Sequence, residues 1–292
     1  MTGLEIRITT SESQRISLQN FCQQLESLGS QAGPKDWARL LVRQGKLLCP
    51  LGSIAELRVI ENATKQVTWT GRTEILDSLG HQLSQGEWYV DGDTGHYCGA
   101  GITGGRITVA GNTGNWLGVE GTGGTIHVLG SAGDFTAASL PGHKRGVNGS
   151  CLLVNGNCGV FAGRRMRRGT LAIGGTVDHG TAWQMLAGTV VLGSTPANQI
   201  GQGMKRGTII ICDPTTELAP DVLAPNGKAF APDSIVPAAS PAGLRLSQPV
   251  WPLIRHQILQ AGWSLPLPDG DHAFSRFHGL AEYQMRSEIW VA

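Results

Sequence analysis

The stretch GRITVAGNTGNWLGVEGTG (residues 105–123) decides how this chain is read, because the sequence on either side repeats its design. Before it stands GEWYVDGDTGHYCGAGITG (86–104), and after it GTIHVLGSAGDFTAASL (124–140). A longer connection leads to SCLLVNGNCGVFAGRRMRR (150–168), GTLAIGGTVDHGTAWQMLA (169–187), GTVVLGSTPANQIGQGMKR (188–206) and GTIIICDPTTELAPD (207–221). The row starts Gly86, Gly105, Gly124, Ser150, Gly169, Gly188 and Gly207 lie 19, 19, 26, 19, 19 and 19 residues apart. The single excess falls near Pro141 to Gly149. Self-similarity at such a period marks a repeat architecture.

The columns carry the argument further. Two residues into each row stand Trp88, Ile107, Ile126, Leu152, Leu171, Val190 and Ile209, and four in stand Val90, Val109, Val128, Val154, Ile173, Leu192 and Ile211. All are apolar, while the residue between them is mixed (Tyr89, Thr108, His127, Leu153, Ala172, Val191, Ile210). Apolar residues at every second position predict a strand with one face inward. Six in, the first five rows carry Gly92, Gly111, Gly130, Gly156 and Gly175. These read as structural corners at positive φ, which glycine adopts without a Cβ clash. A later column of Gly99, Gly118, Gly163 and Gly201 reads as a second corner, and Met166, Met185 and Met204 form another column, read as core. A strand, a corner, a short strand and a return make one coil, and stacked coils supply one another's core. The expected fold is therefore mainly β: a right-handed β-solenoid of about seven 19-residue coils.

The flanks differ in composition. Of 42 glycines, 30 lie between Gly86 and Gly207. Residues 1–83 read as a small α/β cap, with helices over Ser17 to Leu28 and from Trp37 to Val42, and strand character in LLVRQGKLL and AELRVIEN before a turn at Gly71. The solenoid is assigned 84–213. Residues 214–292 read as an irregular proline-rich strap, with Pro214, Pro220, Pro225, Pro232, Pro237 and Pro241 forbidding regular structure, then a helix from Trp251 to Gln260 and a docking C-terminus.

Several functions are disfavoured at this level. Lys+Arg 23 against Asp+Glu 22 leaves +1, so no overall field recruits nucleic acid or anionic membrane. No apolar run approaches the roughly 18 residues of a membrane helix, and the N-terminus lacks the pattern of a secretory signal. Cys22, Cys49, Cys98, Cys151, Cys158 and Cys212 make no CxxC pair and read as reduced, mostly buried thiols of a cytoplasmic protein. No nucleophile or phosphate-loop motif appears. Asp91, Asp93, Asp134 and Asp178 make no cluster, and His96 and His179 share a column four rows apart, so the chain is expected to hold no catalytic set, no metal and no cofactor. Positive charge is what concentrates. Arg164, Arg165, Arg167 and Arg168 end the fourth row, Lys205 and Arg206 end the sixth in the columns of Arg167 and Arg168, and Lys144 and Arg145 lie on the inserted connection. Stacked at strand spacing, they form a candidate basic strip for an acidic partner subunit or polyanionic carrier.

The glycine-led rows resemble the GxGxG solenoid domain of glutamate synthase large subunits. The opening LEIRITTSESQRISL, the signatures AGRRMRRGTLAIGG and GQGMKRGTIII, and the late RFHG carry a more detailed resemblance. They resemble the glycine-rich scaffold subunit of formylmethanofuran dehydrogenase and of its bacterial relative, the formyltransferase/hydrolase complex. The similarity covers most of the chain and thins after residue 214. That resemblance implies a non-catalytic subunit beside amidohydrolase-like hydrolase and formyltransferase chains and a further subunit. The complex would pass a formyl group from tetrahydromethanopterin to a methanofuran-type carrier and release formate during formaldehyde oxidation. Two alternatives stand beside it: the equivalent scaffold of a molybdenum or tungsten formylmethanofuran dehydrogenase, and a glutamate-synthase-like scaffold module. A stand-alone enzyme, with an arginine in the glycine-corner groove holding a small anion, is the competing class.

Overall fold

The N-terminal segment forms strands β1 (Thr2–Ile8), β2 (Ile16–Ser17), β3 (Leu41–Gln44), β4 (Leu47–Pro50), β5 (Ala55–Glu61), β6 (Gln66–Gly71) and β7 (Leu76–Asp77), with helices α1 (Phe21–Leu28) and α2 (Pro34–Trp37). The structure is a computed structural model that describes residues 2–29, 33–61, 66–194, 196, 200–213, 230–232, 245–247, 250–279 and 286–292. Both expected helices are corrected. The first begins at Phe21, because Ile16–Ser17 pairs with β3 and β7 and is thereby held extended. The second ends at Trp37, and Leu41–Gln44 runs instead as one arm of a hairpin with β4 around Gly45, whose φ is +58°. β-Branched Val42 is buried on that arm, where a pleated surface suits it.

Each glycine-led row then opens as a strand: β8 (Glu87–Val90), β9 (Arg106–Val109), β10 (Thr125–Val128), β11 (Asn148–Val154), β12 (Arg168–Ile173), β13 (Thr189–Leu192) and β14 (Arg206–Ile211). They pair in parallel, in chain order, with Trp88, Ile107, Ile126, Leu152, Leu171, Val190 and Ile209 side by side. The second column, Val90 to Ile211, is in the same register. Both columns are buried, none of their residues more than 3% exposed. Full burial of such a side chain is worth about 1.5–3 kcal/mol, so the two columns dominate the stabilisation of this part. Between β10 and β11 the extra residues of the connection are absorbed outside the paired segment, apart from a register shift between Asn148 and Cys151. A second line of parallel bridges joins Thr94, Thr113, Ala132, Cys158 and Val177 on the next side of the rows.

The whole is mainly β, built on one open mixed sheet. Its order is β15-β17-β18-β14-β13-β12-β11-β10-β9-β8-β6-β1-β5, where β15 is Phe230–Pro232, β17 is Ala273–Gly279 and β18 is Arg286–Val291; β16 (Arg245–Ser247) lies on β17. A four-stranded sheet, β4-β3-β2-β7, stands beside it. The flanking segments therefore continue the central sheet at both edges, since β6 pairs with β8 and β18 with β14. The terminal segment docks, as its aromatics suggested: Ile289 joins the apolar column beside Ile209, and Trp290 is buried. Apart from β15, the proline-rich stretch 214–244 lies outside the described residues.

Helix α3 (Trp251–Gln260) forms where a helix was expected. It explains the mixed middle column. Leu153, Ala172, Val191 and Ile210 are buried in one cluster with Trp251, Ile254, Ile258, Phe274 and Trp290. Tyr89 and Thr108, in the rows that this cluster does not include, remain half-buried and polar.

The glycine columns divide into two kinds, so positive φ is not the common reason for them. Gly99, Gly118 and Gly163 have φ of +63°, +59° and +71°, as a left-handed corner requires. In the other column only Gly92, at +142°, is positive. Gly111, Gly130, Gly156 and Gly175 are glycine because rows approach too closely for a Cβ. At Gly130 it would sit 2.6 Å from the carbonyl oxygen of Gly111. Each of the four donates its N–H to the carbonyl of the glycine one row before.

Candidate functional site

The basic residues sit where rows end and strands begin. Met166, Met185 and Met204 are at most 1% exposed, so the residues that follow them emerge at the surface. Arg168 opens β12 and Arg206 opens β14, with β13 between them. Arg168, Lys205 and Arg206 are exposed and Arg167 is half-buried. The Arg167 N–H donates to the Val147 carbonyl at 2.8 Å and the Lys205 N–H to the Met185 carbonyl at 2.9 Å. At a strand spacing of about 4.8 Å, the two aligned pairs lie about 10 Å apart. Among the described residues none of these four side chains is in an ion pair.

The inserted connection packs beside them. Arg165 donates from Nη1 to the His143 carbonyl and from Nε to Gln184 Oε1, both at 3.0 Å. Gly146 donates its N–H to the Arg165 carbonyl at 2.8 Å, and His143 Nδ1 lies 2.6 Å from Glu120 Oε1. Lys144 and Arg145 are thereby presented, exposed, at the tip. Arg165 is thus occupied in holding the connection. Arg164 is occupied too: its guanidinium carbon lies 4.8 Å from the Trp183 ring centre and 5.8 Å from that of Phe161. Burial, and then the neighbouring Arg165 charge, draw its pKa below the usual guanidinium value. The eight cations therefore split by geometry. Arg164 and Arg165 are structural, while Lys144, Arg145, Arg167, Arg168, Lys205 and Arg206 are available to meet an anion.

Two side-chain ladders escape a reading of the sequence alone. Tyr97, Trp116, Phe135 and Phe161 stack ring on ring at 6.0, 4.2 and 5.5 Å, with interplanar angles of 7°, 7° and 15°. All four hold φ between +58° and +68°, strained for non-glycine residues. Their spacing of 19, 19 and 26 repeats that of the row starts, which was the available signal. The second ladder is polar. Oδ1 of Asp93 accepts the N–H of Asn112, Oδ1 of Asn112 that of Ser131, the Ser131 hydroxyl that of Asn157, and Oδ1 of Asn157 that of Thr176. In a parallel line His96 Nδ1 accepts from Asn115, Asn115 from Asp134, and Asp134 from Val160. Asp93, Asp134 and His96 thus commit acceptor atoms to the backbone of the next row.

All six cysteines are free, and all but Cys49 are buried. Burial pushes Cys98, Cys158 and Cys212 up to about 12 and Cys151 up to about 11, which keeps them protonated and unreactive at neutral pH. Among the described residues no three His, Cys, Asp or Glu side chains converge as a metal site. No described helix is long and apolar enough to cross a membrane.

The fold has a known counterpart. It is similar to a chain in the crystal structure of the formyltransferase/hydrolase complex (FhcABCD) of Methylorubrum extorquens, determined with methylofuran. The TM-score is 0.76 at 26% identity, over 98% of this chain and 98% of that one. No protein-family model matches the chain, and no curated protein matches it significantly. The likeness extends across the N-terminal segment, the glycine-led rows and the C-terminal segment together, since nearly the whole of both chains is aligned.

Proposed function

We propose that this chain is the non-catalytic, glycine-rich scaffold of a formyltransferase/hydrolase complex. In that reading the complex passes formyl from formyl-tetrahydromethanopterin to a methanofuran-type carrier and releases formate in one-carbon oxidation. The observation that carries the proposal is the likeness over 98% of both chains to a component of such an assembly. It favours the hydrolytic system over the redox one, because the similar chain comes from a formyltransferase/hydrolase complex. The glycine-led rows act as a right-handed solenoid of about seven coils, a rigid rod on which hydrolase, formyltransferase and a further subunit assemble in the cytoplasm.

Two features support a structural role. The residues most suited to chemistry in the rows, Asp93, His96 and Asp134, are engaged as acceptors for backbone N–H groups. The buried thiols are held protonated. The strip of Arg167, Arg168, Lys205 and Arg206, extended by Lys144 and Arg145, is assigned to an acidic surface of a partner or to an acidic carrier. Charge-assisted contacts from exposed arginines suit either.

Co-expression with formyltransferase and hydrolase chains of the same organism tests the reading. The chain is expected to co-purify stoichiometrically and to show no formyl transfer or hydrolysis alone. Alanine at Arg167, Arg168, Lys205 and Arg206 together is expected to lower complex yield while leaving the melting temperature of the isolated chain near its parent value. Turnover by the isolated chain, or undiminished assembly of the quadruple variant, would remove the scaffold role or the role of the strip, respectively.

A further inference from the structure

The hairpin of β3 and β4 exposes apolar side chains that the fold leaves uncovered. Leu47 is 73% exposed, Leu48 59% and Leu41 45%, although natural edges usually carry polar residues instead. β4 is the terminal strand of its four-stranded sheet, so its outer side is unpaired among the described residues. The direction of its backbone groups follows from its neighbour. The Leu41 N–H donates to Gln24 Oε1 and the Leu41 carbonyl accepts from Gln24 Nε2, both at 2.9 Å and both away from β4. Antiparallel ladders alternate, and Leu48 lies opposite Arg43, two residues beyond Leu41. Leu48 therefore turns its N–H and carbonyl outward from the free edge.

The charge around this edge is of one sign. Lys35, Arg39, Arg43 and Lys46 are all exposed. The nearby acids are engaged elsewhere: Asp36 accepts from the Gly33 N–H and Glu12 from Gln44 Nε2. None of the four cations is in an ion pair among the described residues. Arg43, Leu41 and Leu48 also line a groove together with Ser17, Asn20 and Gln24.

We infer that the free edge of β4 is a docking site for an acidic, apolar β-strand of another polypeptide, added to the four-stranded sheet beside Leu48. Main-chain bonds to Leu48 would set its register, the leucines would cover its apolar side chains, and the four cations would select for acidic ones. A second copy of this chain is the wrong occupant, since pairing β4 with itself brings Arg43 and Lys46 against their own kind. The inference is independent of the assembly proposed above, because it concerns a different surface.

The test uses the full chain and a fluorescent peptide alternating Glu and Val, with versions carrying Gln or Lys in place of Glu. Anisotropy is expected to show the Glu peptide binding at least about tenfold more tightly than the Lys peptide, with the advantage shrinking in salt. Leu48→Pro, which removes the outward N–H, and Lys46→Glu should each weaken binding by about tenfold or more. Leu48→Glu serves where circular dichroism shows the proline variant misfolded. Quadruple alanine substitution at Arg167, Arg168, Lys205 and Arg206 should leave the affinity unchanged, which separates this edge from the solenoid strip. Equal affinity for the Glu and Gln peptides, indifference to both Leu48→Glu and Lys46→Glu, or self-association through this edge in place of peptide binding would overturn the inference.

Discussion

The N–H of Asn115 donates to Nδ1 of His96 at 3.0 Å, one row away. The ring must therefore be neutral at Nδ1, with its proton on Nε2. One row on, Asn115 does with its own Oδ1 what His96 does with its ring, accepting the Asp134 N–H at 3.0 Å. The position asks for an acceptor and not for imidazole chemistry. His96→Asn is thus expected to keep stability within about 0.5 kcal/mol of the parent, whereas His96→Leu should cost about 1–2 kcal/mol by leaving that N–H without its acceptor. Urea denaturation of both variants measures the difference.

The apolar columns make a harsher prediction. Val109 and Ile173 are 0% exposed and lie in register with apolar residues on both neighbouring strands. Val109→Asp or Ile173→Asp would place an unpaired carboxylate inside the stack, at a cost of several kcal/mol. Each is expected to yield insoluble or unfolded protein. Ile173→Val, which removes one methylene, should cost only about 0.5–1.5 kcal/mol and retain the native circular dichroism spectrum.

Much of this fold was readable because a repeat averages out local ambiguity. The columns headed by Trp88 and Val90 are apolar in every row, so the period and the strand positions follow from the pattern alone. What escaped was relational. The Tyr97 column alternates in size and chemistry, and its function is visible only once the rings are seen stacked. The acceptor column mixes Asp93, Asn112, Ser131 and Asn157, residue types with little in common beyond a short polar side chain. At the flanks no repeat constrained the reading, and the helix pattern over Ser17 to Phe21 yielded to pairing of Ile16 with Leu76. Of the basic strip, the alignment of Arg167 and Arg168 with Lys205 and Arg206 was legible from the period. The stacking of Arg164 on Trp183 was not, because it joins adjacent rows through side-chain geometry.

Glycine-to-alanine changes should separate the two reasons for glycine. Gly142 has φ of +82° with open space where a Cβ would stand, so Gly142→Ala carries only the left-handed strain of about 1–2 kcal/mol. Gly111 has ordinary φ, but its Cβ would lie 2.7 Å from the backbone nitrogen of Asp93 and from the carbonyl carbon of Gly92. Rows would have to separate to admit it. Gly111→Ala is therefore expected to destabilise more than Gly142→Ala, against the usual ranking in which positive φ is the greater penalty. Paired thermal melts of the two variants decide between backbone conformation and row spacing.

His81 provides a pH signature. Burial lowers its pKa below the ordinary histidine value of about 6.5, against a smaller opposing effect from the Gln19 backbone. The unfolded chain therefore binds a proton at a pH where the folded chain does not. Stability contributed by this residue is fully present above the unfolded value and is lost as pH falls below it, toward the lower folded pKa. The melting temperature is thus expected to decline between neutral pH and mild acid, and His81→Gln should flatten that decline without changing the profile above neutrality. Scanning calorimetry from about pH 7.5 down to about pH 5 reads both curves. An unaltered slope in the variant would assign the acid sensitivity to other groups.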